Sequence, residues 1–277
     1  MVIMDGIKVS DIIKEEIKED IIENNIEPSL TVIQVGDNPA SNVYIKNKEK
    51  ACIKVGIKFN LLKFLDITED ELIKKINELN NDNNVNGIIV QLPLPDNFDT
   101  NKVVNTISPM KDVDGLTSTN VGNLVLGNDA LVSCTPLGII KLLKYYNINL
   151  ESKKVTIIGR SNLVGKPLVN LLLKENASVS ICHSKTTNIK DYTLNSDIVI
   201  VAVGKAKFLK EDYIKENTIV IDVGINKVND KICGDVDFDL VSNKASYITP
   251  VPKGVGPMTI AMLLNNVLKA YRMQNEN

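Results

Sequence analysis

The stretch 155–176, "VTIIGRSNLVGKPLVNLLLKEN", decides the fold class, because it holds a hydrophobic strand, a glycine turn and a helix in one run. Gly159 ends the strand and Gly165 opens the helix, which places backbone N–H groups and a helix N-terminus beside a ligand phosphate. The spacing is G-x5-G and differs from the G-x-G-x-x-G dinucleotide fingerprint. A plain glycine turn, as found in any α/β protein, therefore stays open as an alternative.

Two neighbours of this turn favour a dinucleotide. Arg160 follows the first glycine, and its guanidinium suits bidentate contact with a phosphate. The next predicted strand ends in "CHSKT" (182–186), where a Rossmann-type unit faces the adenosine ribose. An acidic residue there would favour a free 2′-hydroxyl. His183, Ser184 and Thr186 instead suggest a 2′-phosphate, and hence NADP.

Two further predicted strands end in small residues. "SDIVIVAVG" (196–204) ends at Gly204, and "NTIVIDVGIN" (217–226) contains Asp222 and Gly224 near its end. Small residues at successive strand ends allow a flat cofactor to lie across the sheet. This half of the chain is therefore predicted to be a Rossmann-like NAD(P)-binding domain.

The first half of the chain also alternates between strand and helix periods. Three predicted strands alternate with three predicted amphipathic helices. The strands are 30–36, 57–64 and 87–93. The helices are 9–21, 41–55 and 68–79. This order predicts βαβ units and a largely parallel sheet. The turn-rich stretch 109–136 separates the two series. The predicted domains are 1–136 plus 257–277, an α/β substrate domain, and 137–256, the cofactor domain.

Composition narrows the function classes. A net charge of -2 over 277 residues gives no electrostatic footprint for nucleic acid or an anionic membrane. Apolar runs stay well below the roughly 20 residues of a transmembrane helix, and the N-terminus lacks a signal-peptide pattern. A single histidine excludes multi-histidine metal sites, and four scattered cysteines predict free thiols. We therefore expect a cytoplasmic enzyme with no metal, nucleic-acid or membrane partner.

The stretch "SNVYIKNKEKAC" (41–52) raises a different question. Its lysines fit a solvated helix face, yet Tyr44 and Lys48 stand four residues apart and share one face. The spacing makes a phenol–ammonium pair possible without establishing it.

Three other segments lie outside the cofactor unit. In "VQLPLP", Gln91 lies at an apolar strand end, where a polar side chain needs a partner. "KDVDG" places Asp112 and Asp114 before a glycine, which is also the pattern of a plain Asx turn. The proline- and glycine-rich loop 249–259 is either a rigid connector or a place where backbone approaches a ligand.

Together these segments resemble the bifunctional methylenetetrahydrofolate dehydrogenase/cyclohydrolases over essentially the whole chain. The matching strings, in order, are "VGDNPASNVYIKNKEKAC", "IVQLPLP", "KDVDG", "CTPLG", "IIGRSNLVGKPL", "CHSKT", "IDVGIN", "GDVDF" and "PVPKGVGPMTIAMLL". The resemblance implies two α/β domains with an active-site cleft between them, and the last helix returning to the first domain. It also implies oxidation of methylenetetrahydrofolate with NADP (in some members NAD), hydrolysis of the methenyl product to formyltetrahydrofolate, and a homodimer.

The same resemblance implies roles for individual residues. Lys48 takes the position of the catalytic lysine with Tyr44 as its partner, Gln91 that of the active-site glutamine, and Asp114 that of the pterin-binding aspartate. A carboxylate can accept two hydrogen bonds from the pterin edge, and a partly desolvated lysine is a suitable acid or base. The implied folate-binding residues are Tyr44, Gln91, Leu92, Pro93, Asp114, Pro252, Gly254, Gly256 and Pro257. The implied cofactor-binding residues are Gly159, Arg160, Ser161, Gly165, His183, Ser184, Thr186, Gly204, Asp222, Gly224 and Ile225.

The sequence departs from the family pattern at two positions. Lys253 replaces the first of two paired glycines in the loop 249–259, and Ala206 stands where proline is common. Three alternatives remain open: a cyclohydrolase with weak or absent dehydrogenase activity, a shikimate-dehydrogenase-like oxidoreductase, and a nucleotide-binding regulator without catalysis.

Overall fold

The computed structural model describes residues 1–275, which form two compact α/β units. The six-stranded unit comprises residues 1–11 and 135–259. The three-stranded unit comprises residues 12–134 and 260–275. Both units have parallel sheets, so the predicted two-domain α/β fold class is confirmed.

The strands are short, as expected for βαβ units. They are β1 (Val2–Ile3), β2 (Ser29–Val35), β3 (Lys58–Phe64), β4 (Gly87–Val90), β5 (Lys154–Ile158), β6 (Ser178–Cys182), β7 (Ile198–Val201), β8 (Ile219–Asp222), β9 (Asn226–Val228), β10 (Lys231–Cys233) and β11 (Tyr247–Ile248).

Most helices alternate with these strands. They are α1 (Gly6–Glu23), α2 (Pro39–Val55), α3 (Glu69–Asn80), α4 (Thr100–Thr106), α5 (Ser118–Leu126), α6 (Cys134–Tyr145), α7 (Gly165–Lys174), α8 (Ile189–Thr193), α9 (Phe238–Val241) and α10 (Val255–Asn275), with a 3₁₀ turn at Glu211–Tyr213.

The six-stranded sheet has the order β1-β11-β8-β7-β5-β6, and every pairing in it is parallel. β7 is buried at all four positions, and its core partners include Ile158, Val220 and Ile248. The chain goes from β5 to one neighbour, β6, and then to the opposite neighbour, β7. Open α/β sheets bind ligands at the carboxyl ends of strands beside such a reversal of direction.

The three-stranded sheet has the order β3-β2-β4, again parallel, and β2 is buried along its whole length. The segment "KDVDG" runs alongside β4, since the Ile88 N–H donates to the Lys111 carbonyl at 2.7 Å. This pairing directs the residues after β4 and the residues after Asp112 toward the same end of the sheet.

Helix α2 has well-defined ends, which fix the register of its side chains. The Asn38 side chain caps its N-terminus by accepting from the N–H groups of Ala40 and Ser41, and Pro39 occupies the first turn. Gly56 ends the helix in the left-handed conformation with φ of 90°.

Two features differ from the sequence-based expectation. The turn-rich stretch 109–136 contains a nine-residue helix, α5. The first eleven residues belong to the six-stranded unit, because β1 pairs with β11, whereas the predicted boundary placed them in the substrate domain. Within residues 1–275, no helix is long and apolar enough to cross a membrane.

Candidate active site

Lys48 and Gln91 meet in the three-stranded unit. Lys48 Nζ donates a hydrogen bond of 3.0 Å to Gln91 Oε1, and Gln91 Nε2 donates to the Leu92 carbonyl at 2.9 Å. The Gln91 N–H bonds to the Ile33 carbonyl at 2.8 Å, which fixes its backbone to β2. The polar side chain at the end of β4 therefore has the partner that its position required.

Lys48 lies on the inner face of α2. The buried residues of this helix are Ser41, Ile45, Cys52 and Val55, and position 48 continues that stripe at i+3 and i+4 spacings. Lys48 itself is half-buried, whereas Lys46 and Lys50 are exposed as predicted. Burial raises the pKa of Cys52, one turn after Lys48, to about 12, which keeps that thiol protonated.

Tyr44, Leu92 and Pro93 are neighbours of this pair along the chain. Tyr44 is one helical turn before Lys48, and its side chain is 53% exposed. Leu92 packs against the core of the three-stranded unit, and the Leu92–Pro93 peptide bond is cis. An exposed aromatic one helical turn from a half-buried lysine is a suitable surface for a planar ligand.

The turn that carries Asp114 is built by its neighbour Asp112. The buried Asp112 carboxylate accepts hydrogen bonds from the N–H groups of Leu116 and Thr117 and from Asn120 Nδ2, at 3.1, 2.8 and 2.9 Å. Gly115 follows with φ of 65°, and a Cβ there would stand 2.5 Å from the Val132 carbonyl carbon. Asp112 thus has the Asx-type structural role. The Asp114 carboxylate accepts none of the hydrogen bonds that form this turn.

Asp114 lies in an environment of mixed charge. Burial raises the pKa of its carboxyl, the Lys48 ammonium opposes this shift, and the negative Asp112 adds to it. The Cys134 thiol makes a long contact of 3.9 Å to Asp114 Oδ1, and burial raises the pKa of that thiol. Lys48 therefore bonds to Gln91 and also lies close enough to Asp114 to lower the pKa of its carboxyl.

Asn266 on α10 supports this turn and was not found from the sequence. Its buried Nδ2 donates to the carbonyls of Val113 and Val132, both at 2.8 Å. Val113 precedes Asp114 directly, so the amide fixes the backbone from which the carboxylate projects. Asn266 shares a helix face with the apolar Met262, Leu263 and Ala270, and a polar residue on such a face was the available signal.

The glycine turn of the six-stranded unit is packed too tightly for side chains. A Cβ on Gly159, where φ is 125°, would stand 2.2 Å from the Ala202 carbonyl oxygen. A Cβ on Gly165 would stand 2.1 Å from the Gly159 carbonyl oxygen. The backbone between them therefore comes close to the strand ends, as the phosphates of a dinucleotide require.

The predicted phosphate contacts lie at the carboxyl ends of β5 and β6. The side chains of Arg160, Ser161 and Ser184 are exposed there. Ser161 Oγ accepts from the Val164 N–H at 3.1 Å and shapes the turn. His183 and Thr186 are engaged locally: Thr186 Oγ1 accepts from the His183 N–H at 2.9 Å, and His183 Nδ1 accepts from the Lys185 N–H at 3.1 Å.

Asp222 and Gly204 have structural partners of their own. The buried Asp222 carboxylate accepts from the N–H groups of Gly224, Asp235 and Val236 at 3.0, 2.9 and 2.9 Å. The Gly204 N–H donates to Asp235 at 2.9 Å. Burial raises the pKa of Asp222 to about 7, against the effect of its three N–H partners.

A cavity of about 250 Å³ collects the remaining predicted residues of this unit. Gly224 and Ile225 line one side, and the loop 250–257, with Pro252, Gly254, Gly256 and Pro257, lines the other. Its lining is mainly apolar, which suits a flat heterocycle. Lys253 lies on this loop with φ of 88°, in the left-handed region that disfavours a side chain.

Within the described residues, no group of histidine, cysteine, aspartate and glutamate could hold a metal ion.

Comparison with known proteins agrees with both units. The family model for the tetrahydrofolate dehydrogenase/cyclohydrolase catalytic domain matches residues 4–114. The model for the NAD(P)-binding domain of the same family matches residues 133–275. The matches cover most of the chain in the order that the sequence predicted.

Full-length relatives extend this result. The bifunctional protein FolD of Oceanobacillus iheyensis is 51% identical, with 99% of this chain and 98% of the relative covered. The crystal structure of the bifunctional FolD enzyme of Campylobacter jejuni aligns with a TM-score of 0.96 at 50% identity, covering 99% of each chain. The Trypanosoma brucei FolD structure, a complex with NADP cofactor and an inhibitor, aligns with a TM-score of 0.94 at 33% identity, covering 100% of this chain and 99% of that one. Sequence motifs, fold and comparisons all agree, and the chain belongs to the tetrahydrofolate dehydrogenase/cyclohydrolase family.

Proposed function

We propose that this protein oxidises 5,10-methylenetetrahydrofolate to 5,10-methenyltetrahydrofolate with NADP and then hydrolyses the product to 10-formyltetrahydrofolate. The observation that carries this proposal is the hydrogen bond from Lys48 to Gln91 in the electrostatic neighbourhood of Asp114. A half-buried ammonium with a fixed acceptor, close to a carboxylate, supplies the groups that folate binding and hydration need.

The oxidation step needs alignment more than acid–base chemistry. A bound NADP would supply the acceptor for a hydride from the one-carbon bridge. The close-packed glycines Gly159 and Gly165 admit the pyrophosphate, and Arg160 with Ser184 provides a cation and a hydroxyl for the 2′-phosphate. The apolar cavity beside Gly224 and Ile225 excludes water around a bound ring.

The hydrolysis step is assigned to Lys48. Water adds to the cationic methenyl carbon and loses one proton to solvent. The hydroxyl of this adduct then gives up the second proton as the formyl carbonyl forms, the bond from the carbon to the folate nitrogen breaks, and that nitrogen takes up a proton. Lys48 holds and transfers this proton, because its Nζ is the ionisable donor fixed at the end of β4. Gln91 holds Nζ in place, and Tyr44 lies one turn away beside the substrate ring.

Asp114 is assigned to the pterin. An ionised carboxylate accepts two hydrogen bonds from the amino and ring N–H groups of the pterin edge. The hydrogen bonds of Asp112 and Asn266 fix the backbone on both sides of Asp114, which reduces the entropy lost when the folate binds.

Two absorbance assays on the purified protein test the proposal. Addition of methylenetetrahydrofolate and NADP should produce NADPH, and methenyltetrahydrofolate added alone should decay faster than in buffer. Absence of NADPH formation with either NADP or NAD, together with intact hydrolysis, would identify a cyclohydrolase only. Absence of both activities would contradict the proposal.

The proposed assembly is a homodimer in the cytoplasm, with folate derivatives and NADP as ligands and no nucleic-acid partner. The near-neutral net charge of -2 supports the absence of a nucleic-acid partner. Light scattering at micromolar concentration should give twice the chain mass of 30.5 kDa. A mass of one chain at that concentration would contradict the dimer.

A further inference from the structure

The segment "GDVDF" (234–238) has no role in the proposed chemistry, although its first aspartate is completely buried. The Asp235 carboxylate accepts four hydrogen bonds. Oδ2 accepts from the N–H groups of Val203 and Gly204 at 2.7 and 2.9 Å. Oδ1 accepts from the Lys205 N–H and from Asn226 Nδ2 at 2.8 and 2.9 Å. These donors fill the lone-pair positions of both oxygens.

Three of the four donors are consecutive backbone N–H groups. They belong to residues 203–205, the loop that follows β7 at the carboxyl edge of the sheet. Gly204 in this loop has φ of 63° and is exposed. Without the carboxylate, three adjacent N–H groups would need other acceptors, and the loop would lose its single conformation.

Asp235 is itself held by the neighbouring strand end. Asp222 Oδ1 accepts from the Asp235 N–H at 2.9 Å. Two glycines make the close approach possible. A Cβ on Gly224 would stand 2.2 Å from Asp235 Cγ, and one on Gly234 would stand 1.8 Å from Asp222 Oδ2. The ends of β7 and β8 are thus connected through two buried carboxylates.

We propose that Asp235 is a positioning residue for the dinucleotide, because it fixes the loop 203–205 before the cofactor binds. This inference rests on the proposed NADP-dependent activity. The loop follows β7, next to β5 with its glycine turn, so a displaced loop would block or release the bound cofactor. Asp235 touches only protein groups and takes no part in the chemistry.

The test is the variant Asp235→Asn, assayed for NADP binding, for both activities and for folding. An amide nitrogen in place of either oxygen would face two N–H donors, so asparagine cannot reproduce the site. We expect the NADP dissociation constant and the KM for NADP to rise about tenfold or more, by analogy with other buried charged hydrogen bonds. The kcat at saturating NADP and the hydrolysis of the methenyl compound should stay within about threefold of wild type.

The control variant is Asp237→Asn, two residues away. Its carboxylate contacts the exposed Lys207 Nζ at 3.2 Å, so the charge change is the same while the loop contacts remain. Removal of a negative charge should by itself strengthen binding of an anionic dinucleotide. Weaker binding by Asp235→Asn with unchanged or stronger binding by Asp237→Asn therefore reports loop position.

The outcomes separate this inference from the proposed function. If wild type neither binds NADP nor reduces it, the proposed function fails. If wild type binds NADP and a folded Asp235→Asn variant binds it within twofold, Asp235 has no positioning role. If the variant does not fold, amide hydrogen exchange in the wild type without NADP tests whether the loop 203–205 is fixed before the cofactor binds. The N–H groups of residues 203–205 should then exchange at least about tenfold more slowly than those of the exposed turn residues Asn229 and Asp230. Equal rates would overturn the proposal.

Discussion

Lys48 Nζ lies 3.0 Å from Gln91 Oε1, so a residue of α2 and the residue after β4 are joined across 43 positions of the sequence. The half-buried ammonium has a defined acceptor, and Gln91 cannot rotate freely because its amide nitrogen donates to the Leu92 carbonyl. Replacement of Gln91 by methionine keeps the volume and removes the acceptor. We expect hydrolysis of methenyltetrahydrofolate to fall about 10- to 100-fold, since proton transfer depends on a positioned group. NADP binding, measured by titration calorimetry, should not change. Normal hydrolysis by Gln91→Met would show that Lys48 needs no fixed partner.

Replacement of Asp114 by asparagine should weaken folate binding. Loss of a charge-assisted contact of about 1.5 to 3 kcal/mol corresponds to a KM for methylenetetrahydrofolate about 10- to 100-fold higher. In wild type, burial raises the pKa of Asp114, so the KM should begin to rise at a higher pH than for a solvated aspartate as the solution is acidified. Asp96→Asn, at an exposed position, is the matched control. A KM for Asp114→Asn equal to that of this control would remove Asp114 from the folate site.

Replacement of Lys253 by glycine should stabilise the protein. Lys253 has φ of 88°, and a side chain in this region costs about 1 to 2 kcal/mol. Glycine also raises the conformational entropy of the unfolded chain, and this offsets part of the stabilisation. We therefore expect the free energy of unfolding to increase by up to about 1 kcal/mol. Lys210→Gly, at φ of -110°, should instead lower it. Urea denaturation of both variants checks the pair, and a destabilised Lys253→Gly would contradict the strain argument.

The raised pKa of Asp222 leads us to expect that the free energy of unfolding depends on pH. Its pKa is about 7 in the folded protein against an ordinary value of 3.8. A carboxyl with a raised folded-state pKa stabilises the fold most when it is protonated, and this contribution is lost as the pH rises through about 7. Asp222→Asn does not titrate, so the stability advantage of wild type over this variant should shrink by roughly 2 to 4 kcal/mol between about pH 4 and pH 8. Parallel urea titrations measure it, and an advantage independent of pH would mean that Asp222 stays ionised throughout.

Much of the fold follows from local patterns, and the exceptions have physical reasons. Helix α5 was missed because its apolar residues Val121, Val125 and Leu126 are exposed, and its one buried residue is Asn120. No inward apolar stripe marks it. The two-residue strand β1 is too short for any period, and its partner β11 lies about 245 positions along the chain.

The site was predicted by resemblance more than by spacing. The Tyr44–Lys48 spacing allowed a pair, but the structural signal is that Lys48 shares the inner face of α2 with Ile45 and Cys52. The partners of Asn266 and Asp235 are backbone groups far along the chain, and no local pattern encodes such contacts. A buried polar residue shows that a partner exists without identifying it.

The central measurement is a paired assay of Lys48→Met and Lys50→Met. Both variants lose an ammonium from α2, but only Lys48 bonds to Gln91, whereas Lys50 is exposed. We expect Lys48→Met to hydrolyse methenyltetrahydrofolate at least about 100-fold more slowly than wild type while it still binds NADP, and Lys50→Met to match wild type. If Lys48→Met hydrolyses the methenyl compound at the wild-type rate, Lys48 is not the acid–base group, and the assignment of the site is wrong.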